Sequence, residues 1–218
     1  FAEDALLSHR LAADLVTHAD ILELATSVAR FHRSAARSGA DRRWGSLEVV
    51  LGDAEDNFRD LQSLDWLRSS AALAQLHRWT RGFADAEQSR IALRWERGFI
   101  RECHGDLHLD NVIRWRGQIT PFDGIEFCER FRWIDVLSDA AFLMMDLAAR
   151  GHRDWGRVFI NAYLDRTGDH SWLAILRWYL VYRALVRAKV AAIRGQQAGV
   201  GDAQRRDAVE DCQLHIEL

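Results

Sequence analysis

The sequence predicts an α+β protein that is predominantly helical and has a small β-hairpin element at its middle. Apolar residues recur at helical spacing over residues 1–97 and again over residues 134–218. Residues 98–133 differ, because they contain short segments of extended character and a dense group of polar side chains. Pro121 is the only proline, so few helices are forced to stop. We therefore expect one domain with a helical region on either side of a central segment.

The first long helix is marked by its start signal. Thr17 stands three residues before Asp20, a spacing that favours reciprocal capping, and the helix is expected to end within residues 37–39. Four apolar residues fall on one face of this helix: Ile21, Leu24, Val28 and Phe31. A looser stretch, residues 41–52, is expected to follow.

A second long helical region is predicted from about residue 53 to residue 96, with breaks near residues 69–70 and Gly82. The acids within residues 53–60 suit a solvated helix start, because negative charge complements the helix dipole there. The alternative is that these acids attract a cationic substrate.

The central segment is predicted to hold the strands. Residues 99–103 are short and extended in character, and residues 112–115 and 119–122 flank a predicted hairpin turn at residues 116–118. Helices are then expected over residues 135–149, 155–165 and 171–194, with a last helix after Gly199–Gly201.

Composition restricts the class of protein. The 218 residues are 49% hydrophobic and 28% charged, which is a globular composition with enough length to bury a sizeable core. No apolar run is long enough for a transmembrane helix, and the net charge of −3 provides no global basic surface, so we expect neither a membrane nor a nucleic-acid partner. Three cysteines without a CxxC pair are typical of a reducing compartment, and we expect a cytoplasmic location.

Polar residues are concentrated in two neighbouring strings, residues 103–111 and 122–127. Four carboxylates, two histidines and one of the three asparagines lie there beside apolar strands. The spacing H-x-D-x-x-x-x-N, formed by His104, Asp106 and Asn111, is expected by chance only about 0.01 times in a chain of this composition. A hydroxyl that attacks phosphorus needs an oriented proton acceptor, and Mg²⁺ prefers carboxylate and amide oxygens. The strings therefore favour phosphoryl transfer, which needs little more than positioning.

The string H-G-D-x-H-x-x-N, followed by an apolar-D-x-x-E segment, resembles the catalytic core of the aminoglycoside phosphotransferase family, relatives of protein kinases. The resemblance runs from about Ala19 to Arg194 and implies the helical C-terminal lobe of a kinase-like fold, with the catalytic and metal loops in residues 98–133. Leu109-Asp110 stands where many members have Pro-Gly, and Phe122-Asp123-Gly124 replaces the commoner Ile-Asp-Trp, but both departures leave the core intact.

The resemblance implies a role for each residue of the motif. Asp106 matches the catalytic carboxylate, and Asn111 and Asp123 match the Mg²⁺ ligands. His108 matches a position that faces the phosphates or the substrate, and Asp139 matches an acid that braces the catalytic loop.

His104 is interpreted from the residues themselves. Because proton transfer is already assigned to Asp106, we expect His104 to be a packed residue that hydrogen-bonds backbone and shapes the loop.

The expected reaction is Mg²⁺-dependent transfer of the γ-phosphate of ATP or GTP to the hydroxyl of a small molecule. Two alternatives remain open. One is a kinase-like module without catalysis that serves a binding or regulatory role in a larger protein. The other is a metal-dependent hydrolase in which His104, Asp106 and His108 bind Zn²⁺ or a metal pair.

The predicted helix over residues 171–194 carries Arg183, Arg187 and Arg194 beside aromatic residues. Arginines four residues apart can bind a phosphate or an acidic partner. We favour the simpler interpretation, in which their stems lie along a half-buried helix and their charged ends reach water.

The basic residues predict that the nucleotide is held partly by a segment outside this chain. Kinase-like enzymes hold the α and β phosphates with a lysine on a strand that precedes the catalytic loop. Lys189 is the only lysine in the sequence, and it follows the catalytic loop instead of preceding it. No glycine-rich loop is found before the catalytic loop. The chain also begins at Phe1, within an expected helix. We therefore expect that the N-terminal lobe is missing and that the isolated chain is inactive. Residues 182–189 resemble a subgroup of the family in which this module precedes a P-loop ATP-binding region, so we also expect such a region in the parent protein.

Overall fold

The order of helices and strands agrees with the prediction of a predominantly helical α+β protein. The computed structural model describes residues 3–39 and 44–218, so the predictions for Phe1 and residues 41–43 lie outside it. The helices are α1 (Leu7–Ala12), α2 (His18–Ser34), α3 (Leu47–Gln62), α4 (Ala71–Glu96), α5 (Glu129–Arg132), α6 (Val136–Ala149), α7 (Arg153–Thr167), α8 (Leu173–Gln196) and α9 (Asp202–Glu217). The strands are β1 (Ile100–Glu102), β2 (Val112–Trp115), β3 (Gln118–Pro121) and β4 (Trp133–Asp135).

Two predicted helix starts are confirmed by side-chain caps. The Thr17 hydroxyl accepts a hydrogen bond from the Asp20 amide at 3.3 Å, and the Asp20 carboxylate accepts one from the Thr17 amide at 2.9 Å. Ser70 begins α4 in a similar way, because its hydroxyl accepts the Leu73 amide at 3.2 Å. The first of these helices, α2, ends at Ser34, earlier than expected.

Two other predicted boundaries are wrong. Within the stretch predicted to be loose, residues 47–52 are helical, because the Ser46 hydroxyl caps the Val49 amide at 3.3 Å and starts α3. The predicted break at Gly82 does not occur, and α4 continues through it. A Cβ at Gly82 would meet nothing within 4 Å, so the glycine lies on an open face, where it costs only about 1 kcal/mol relative to alanine.

The predicted hairpin is confirmed, although its turn has two residues instead of the predicted three, because Gln118 already pairs with Trp115 as the first residue of β3. Strands β2 and β3 pair antiparallel and are joined by Arg116 and Gly117, whose φ angles of 49° and 79° are both positive. Positive φ at both central residues is typical of the two-residue turn that matches the twist of a hairpin. Glycine adopts this conformation without steric cost, which explains its place in the turn.

A second pair of strands was not predicted as a pair. β1 runs antiparallel to β4, with Ile100 opposite Asp135, and α6 follows β4 directly. The segment between β1 and the hairpin, residues 103–111, is therefore fixed at both ends by sheet; we call it the polar loop.

The main apolar core lies where α2, α6, α7 and α8 pack on one another. Leu107 and Leu109 of the polar loop belong to this core and are fully buried, together with Val112 at the start of the hairpin. A second apolar cluster joins α3, α8 and α9. Because α6 and α8 take part in the core directly beside the polar loop, they form its support. Over the described residues, no helix is both long and apolar enough to cross a bilayer.

Candidate active site

Helix α6 anchors the polar loop with two carboxylates. Asp139 accepts hydrogen bonds from the amides of His104 and Gly105, each at 3.0 Å, and Asp146 accepts one from the Leu109 amide at 2.8 Å. Residues seven apart lie on the same face of a helix, so one face of α6 reaches both ends of the loop. Asp139 thus holds the start of the polar loop against α6. Asp146 was not identified from the sequence.

A buried histidine completes the surroundings of Asp139. The Nε2 atom of His32 lies 3.0 Å from the Asp139 carboxylate, and its Nδ1 lies 2.8 Å from the Tyr163 hydroxyl. Burial penalises the charged form of Asp139, but the hydrogen bond and charge of His32 outweigh this and hold the pKa of Asp139 below its ordinary value. Asp139 is therefore a carboxylate at neutral pH, which lets one side chain satisfy two backbone amides and His32.

Replacing Asp139 with Asn should destabilise the protein by about 2–3 kcal/mol at neutral pH, because the NH₂ group cannot accept from a buried amide. The pKa of Asp139 is lowered in the folded state, so its stabilising effect is present above the unfolded pKa of about 3.9 and is lost as the pH falls below it. The difference in free energy of unfolding between wild type and Asp139→Asn should thus shrink at about pH 3.5. Urea unfolding at both pH values measures it, with the exposed Asp165→Asn as control. An equal difference at both values would contradict the assignment.

Asp106 lies at the exposed rim of the polar loop, where its carboxylate is held by two neighbours. The Asn111 amide nitrogen donates to the Asp106 carbonyl at 2.9 Å and to its Oδ2 at 3.1 Å, and His108 Nε2 lies 3.2 Å from the same Oδ2. The side chain is 40% exposed. Burial raises the pKa of Asp106, but His108 and, from farther away, Arg183 lower it below the ordinary value. Asp106 is therefore an oriented, charged carboxylate that is open to solvent on one side.

Gly105 permits the sharp turn before Asp106. Its φ is 84°, a left-handed conformation that favours glycine, and a Cβ there would lie only 2.6 Å from the Phe131 carbonyl oxygen. No other residue fits at this position without moving the backbone.

The segment that carries Asp123 is attached to the polar loop through its backbone. The Phe122 amide donates to the Asn111 carbonyl and the Ile125 amide donates to the His104 carbonyl, both at 2.9 Å. Asp123 lies between these two bonds with a φ of 59°, and its side chain is exposed. The structure therefore brings Asp123 beside the polar loop. Asp106, His108 and Asn111, by contrast, contact one another directly.

His104 is buried at the start of the polar loop. Its Nε2 donates to the Phe122 carbonyl at 2.7 Å, and its Nδ1 faces the Asp106 amide at 3.4 Å. Because both ring nitrogens face backbone groups, neither is directed toward a metal shared with Asp106. This geometry does not favour the zinc-hydrolase alternative.

Arg183 corrects the sequence interpretation of the arginines on α8. Only 5% of this residue is exposed, so its charged end does not reach water as expected. Its Nη1 donates to the Gly105 carbonyl at 3.1 Å and its Nε to the Ser138 carbonyl at 3.2 Å, while the guanidinium lies 4.8 Å from the centre of the Phe142 ring. The burial of Arg183 could have been recognised from the sequence, because this arginine lies within the apolar face of α8. Arg183 supports the polar loop from α8 as Asp139 does from α6.

A cavity of about 410 Å³, which we call the first cavity, opens beside Asp106. One wall is α3, where Asp53 and Asp56 line the cavity. Burial raises the pKa of Asp53, although its ion pair with Arg130 at 2.5 Å opposes this. The prediction that these acids lie at a solvated helix start is wrong, because α3 begins earlier, at Leu47.

Both signs of charge line the first cavity. Arg183 and Lys189 of α8 face it, and Lys189 also forms an ion pair with Asp60 at 2.5 Å. Phe127 and Phe131 add exposed aromatic surface. The cavity is therefore suited to a small polar molecule that carries a charged group.

Sequence comparison finds relatives of this chain but no family model. No family model matches the chain. It is 30% identical over 203 residues to uncharacterized proteins of Mycobacterium bovis and Mycobacterium tuberculosis, and the match covers 91% of this chain but 41% of each of theirs. The chain thus spans about two fifths of the length of these curated relatives.

Solved structures show the same architecture. A glucosamine kinase matches with a TM-score of 0.60 at 17% identity, covering 95% of this chain and 55% of the other. The Plasmodium vivax ethanolamine kinase matches with a TM-score of 0.55 at 12% identity, covering 94% and 60%. The chain therefore has a protein-kinase-like fold, and the predicted fold class, the helical C-terminal lobe with its small hairpin, is confirmed.

Proposed function

We propose that this chain is the catalytic lobe of a phosphotransferase that transfers the γ-phosphate of ATP or GTP to the hydroxyl of a small molecule. The observation that carries the proposal is the charged Asp106 carboxylate, oriented by Asn111 and His108 at the mouth of a cavity of about 410 Å³. In this reaction Asp106 accepts the proton of the attacking hydroxyl. The kinase-like fold of the solved neighbours supports the same reaction class.

The proposed magnesium ligands fit the donor chemistry that the ion requires. The nitrogen of the Asn111 amide is bonded to Asp106, which leaves the amide oxygen as its metal ligand. The Asp123 carboxylate is exposed and its backbone is held against the polar loop. Bound Mg²⁺ would neutralise the phosphate charge. The backbone bond from Phe122 to Asn111 and the side-chain bond from Asn111 to Asp106 support this choice of donors.

We infer that the acceptor carries an amine as well as a hydroxyl. Asp53 and Asp56 line the first cavity on the wall formed by α3. Each is paired with an arginine, Arg130 or Arg59, and an ammonium group of the acceptor would share these carboxylates. The named substrates of the structural neighbours, glucosamine and ethanolamine, both combine these two groups. An acceptor held in this cavity presents its hydroxyl to Asp106.

The activity test uses the full-length protein, because this chain spans about two fifths of its relatives' length. ATP and GTP are each tested with Mg²⁺ against amino sugars, amino alcohols and the corresponding compounds without an amine. Phosphorylation of the amine-bearing acceptors, abolished by a chelator, supports the proposal. Turnover of nucleotide with no acceptor preference would contradict the inferred amine.

The metal ligands are tested by binding rather than by activity. Asn111→Ala and Asp123→Ala in the full-length protein should each weaken Mg²⁺-dependent ATP affinity by about tenfold or more, since each removes an oxygen ligand. Isothermal titration calorimetry with and without Mg²⁺ measures the effect. The exposed Asn161→Ala and Asp165→Ala on α7 are matched controls. Unchanged Mg²⁺-dependent affinity in both site variants would remove Asn111 and Asp123 from the metal site.

A further inference from the structure

A second cavity, of about 430 Å³, lies among α4, α6, α7, α8 and α9. It shares no lining residue with the first cavity. Its volume is within the range of small-molecule sites. Nothing in the proposed phosphoryl transfer uses this second cavity, so its chemistry is a separate question.

The walls of the second cavity are largely apolar. Met144 and Met145 of α6, Leu180 and Leu185 of α8 and Ile216 of α9 line it. Methionine side chains are flexible and polarizable, so they adapt to chains of different shape. Such a surface is suited to an alkyl chain.

The charged side chains that line the second cavity are all cationic. Arg153, Arg157 and Arg177 line it, and none of its described lining residues is acidic, although the whole chain has a net charge of −3. Arg157 is paired with Asp154 at 2.7 Å. Arg153 and Arg177 form no ion pair with any residue in the described ranges, and both are exposed. The excess positive charge at the rim is complementary to an anion.

His215 is a buried histidine of α9 beside the second cavity. It lines the second cavity and is only 5% exposed. Its Nδ1 lies 2.7 Å from the Asp211 carbonyl oxygen and therefore donates to it. Its Nε2 is buried and has no hydrogen-bond partner among the described residues. With its hydrogen on Nδ1, the Nε2 atom is an acceptor enclosed by protein, so it offers no contact to an anion, and the assignment of the ligand depends on the arginines and the apolar walls.

We propose that the second cavity binds an amphipathic organic anion, an alkyl chain that ends in a carboxylate or a phosphate. The alkyl chain of the ligand lies against Met144, Met145 and Leu180, and its anionic group pairs with Arg153 and Arg177. A small molecule is favoured over a protein partner because the apolar surface is confined to a concave site, whereas stable protein interfaces bury about 1,200–2,000 Å².

Calorimetry on the full-length protein tests this proposal with four probes below their micellar concentrations: dodecanoate, dodecyl phosphate, dodecanol and acetate. We expect saturable binding of both long-chain anions and much weaker binding of dodecanol and acetate, since each lacks one of the two required groups. The tighter of the two anions identifies the head group as carboxylate or phosphate. Equal affinities for dodecanol and dodecanoate would overturn the anionic assignment.

Variants locate the site. Arg153→Ala and Arg177→Ala should each weaken binding of the preferred anion by about tenfold. Ala148→Trp, which fills the cavity from its α6 wall, should abolish the binding. Arg206→Ala, an exposed arginine of α9 outside the cavity, is the matched control and should bind normally. Both arginine variants are at exposed positions, so loss of folding is not expected to obscure the result.

Two results would overturn the proposal. One is wild-type affinity in the Arg153, Arg177 and Ala148 variants together, which would place the bound anion elsewhere. The other is binding of an acidic amphipathic peptide, sensitive to the same variants, with no binding of either long-chain anion. That outcome would make the second cavity a docking surface for a protein.

Discussion

Replacing Asp106 with Asn is expected to lower phosphoryl-transfer turnover of the full-length protein by about 10²–10⁴-fold, because the amide cannot accept the hydroxyl proton. Mg²⁺-dependent nucleotide affinity should remain within a few-fold of wild type, since the proposed metal oxygens belong to Asn111 and Asp123. Single-turnover kinetics with saturating ATP and acceptor measure the chemical step, and calorimetry measures the binding.

A matched control comes from the same loop. Asp110→Asn also removes one negative charge, but Asp110 pairs with Arg150 at 2.8 Å and does not line the first cavity. We expect its turnover to fall much less than that of Asp106→Asn. If both variants lose turnover equally, the effect is one of loop charge and Asp106 is not the proton acceptor. If Asp106→Asn keeps near-normal turnover, the proposed mechanism is wrong.

Replacing Arg94 with Met is expected to destabilise the protein by about 3–5 kcal/mol, because it leaves two buried carboxylates without their partner. Arg94 is fully buried and binds Asp135 through Nε at 2.6 Å and Asp169 through Nη1 at 2.8 Å. Asp135 also caps α6 by accepting the Leu137 amide at 2.8 Å. The loss should therefore reach the helix that anchors the polar loop.

Urea unfolding of Arg94→Met against wild type at neutral pH gives the free-energy difference. Arg68→Met is the control, because Arg68 pairs with Asp65 at 2.7 Å on the exposed surface. Exposed pairs contribute about 0–1 kcal/mol, so this variant should unfold almost as wild type does. Equal effects of the two substitutions would show that the buried cluster around Arg94 does not hold α4 to α6.

Local structure was predictable where a few neighbouring residues decide it. Thr17 and Asp20 form the expected capping box, and the hairpin turn falls where it was expected, with two residues instead of three. The start of α3 was missed because Gly52 was interpreted as part of a loop, whereas the helix is capped by Ser46, six residues before Gly52. Gly82 misled in the opposite direction, since a helical glycine is tolerated in its open surroundings.

The sequence by itself determined the residues proposed for the chemistry. His104, Asp106, His108 and Asn111 lie within eight positions of one another, and such a spacing can be recognised from the order of the residues alone. Their assigned roles in catalysis and metal binding stay predictions. What the structure adds is their mutual arrangement: His108 and Asn111 both lie within 3.2 Å of the Asp106 carboxylate.

Only the tertiary structure decided what supports and surrounds those residues. Arg183 reaches Gly105 across 78 positions of sequence, and His32 reaches Asp139 across 107. Contacts of this kind leave no local pattern, because they depend on how α2, α6 and α8 pack around a shared core. The two cavities have the same origin: each is lined by side chains from several helices that meet only in the folded chain. The charge of the buried Asp139 has the same origin, since His32, which lies far away in the sequence, lowers the pKa that burial alone would raise.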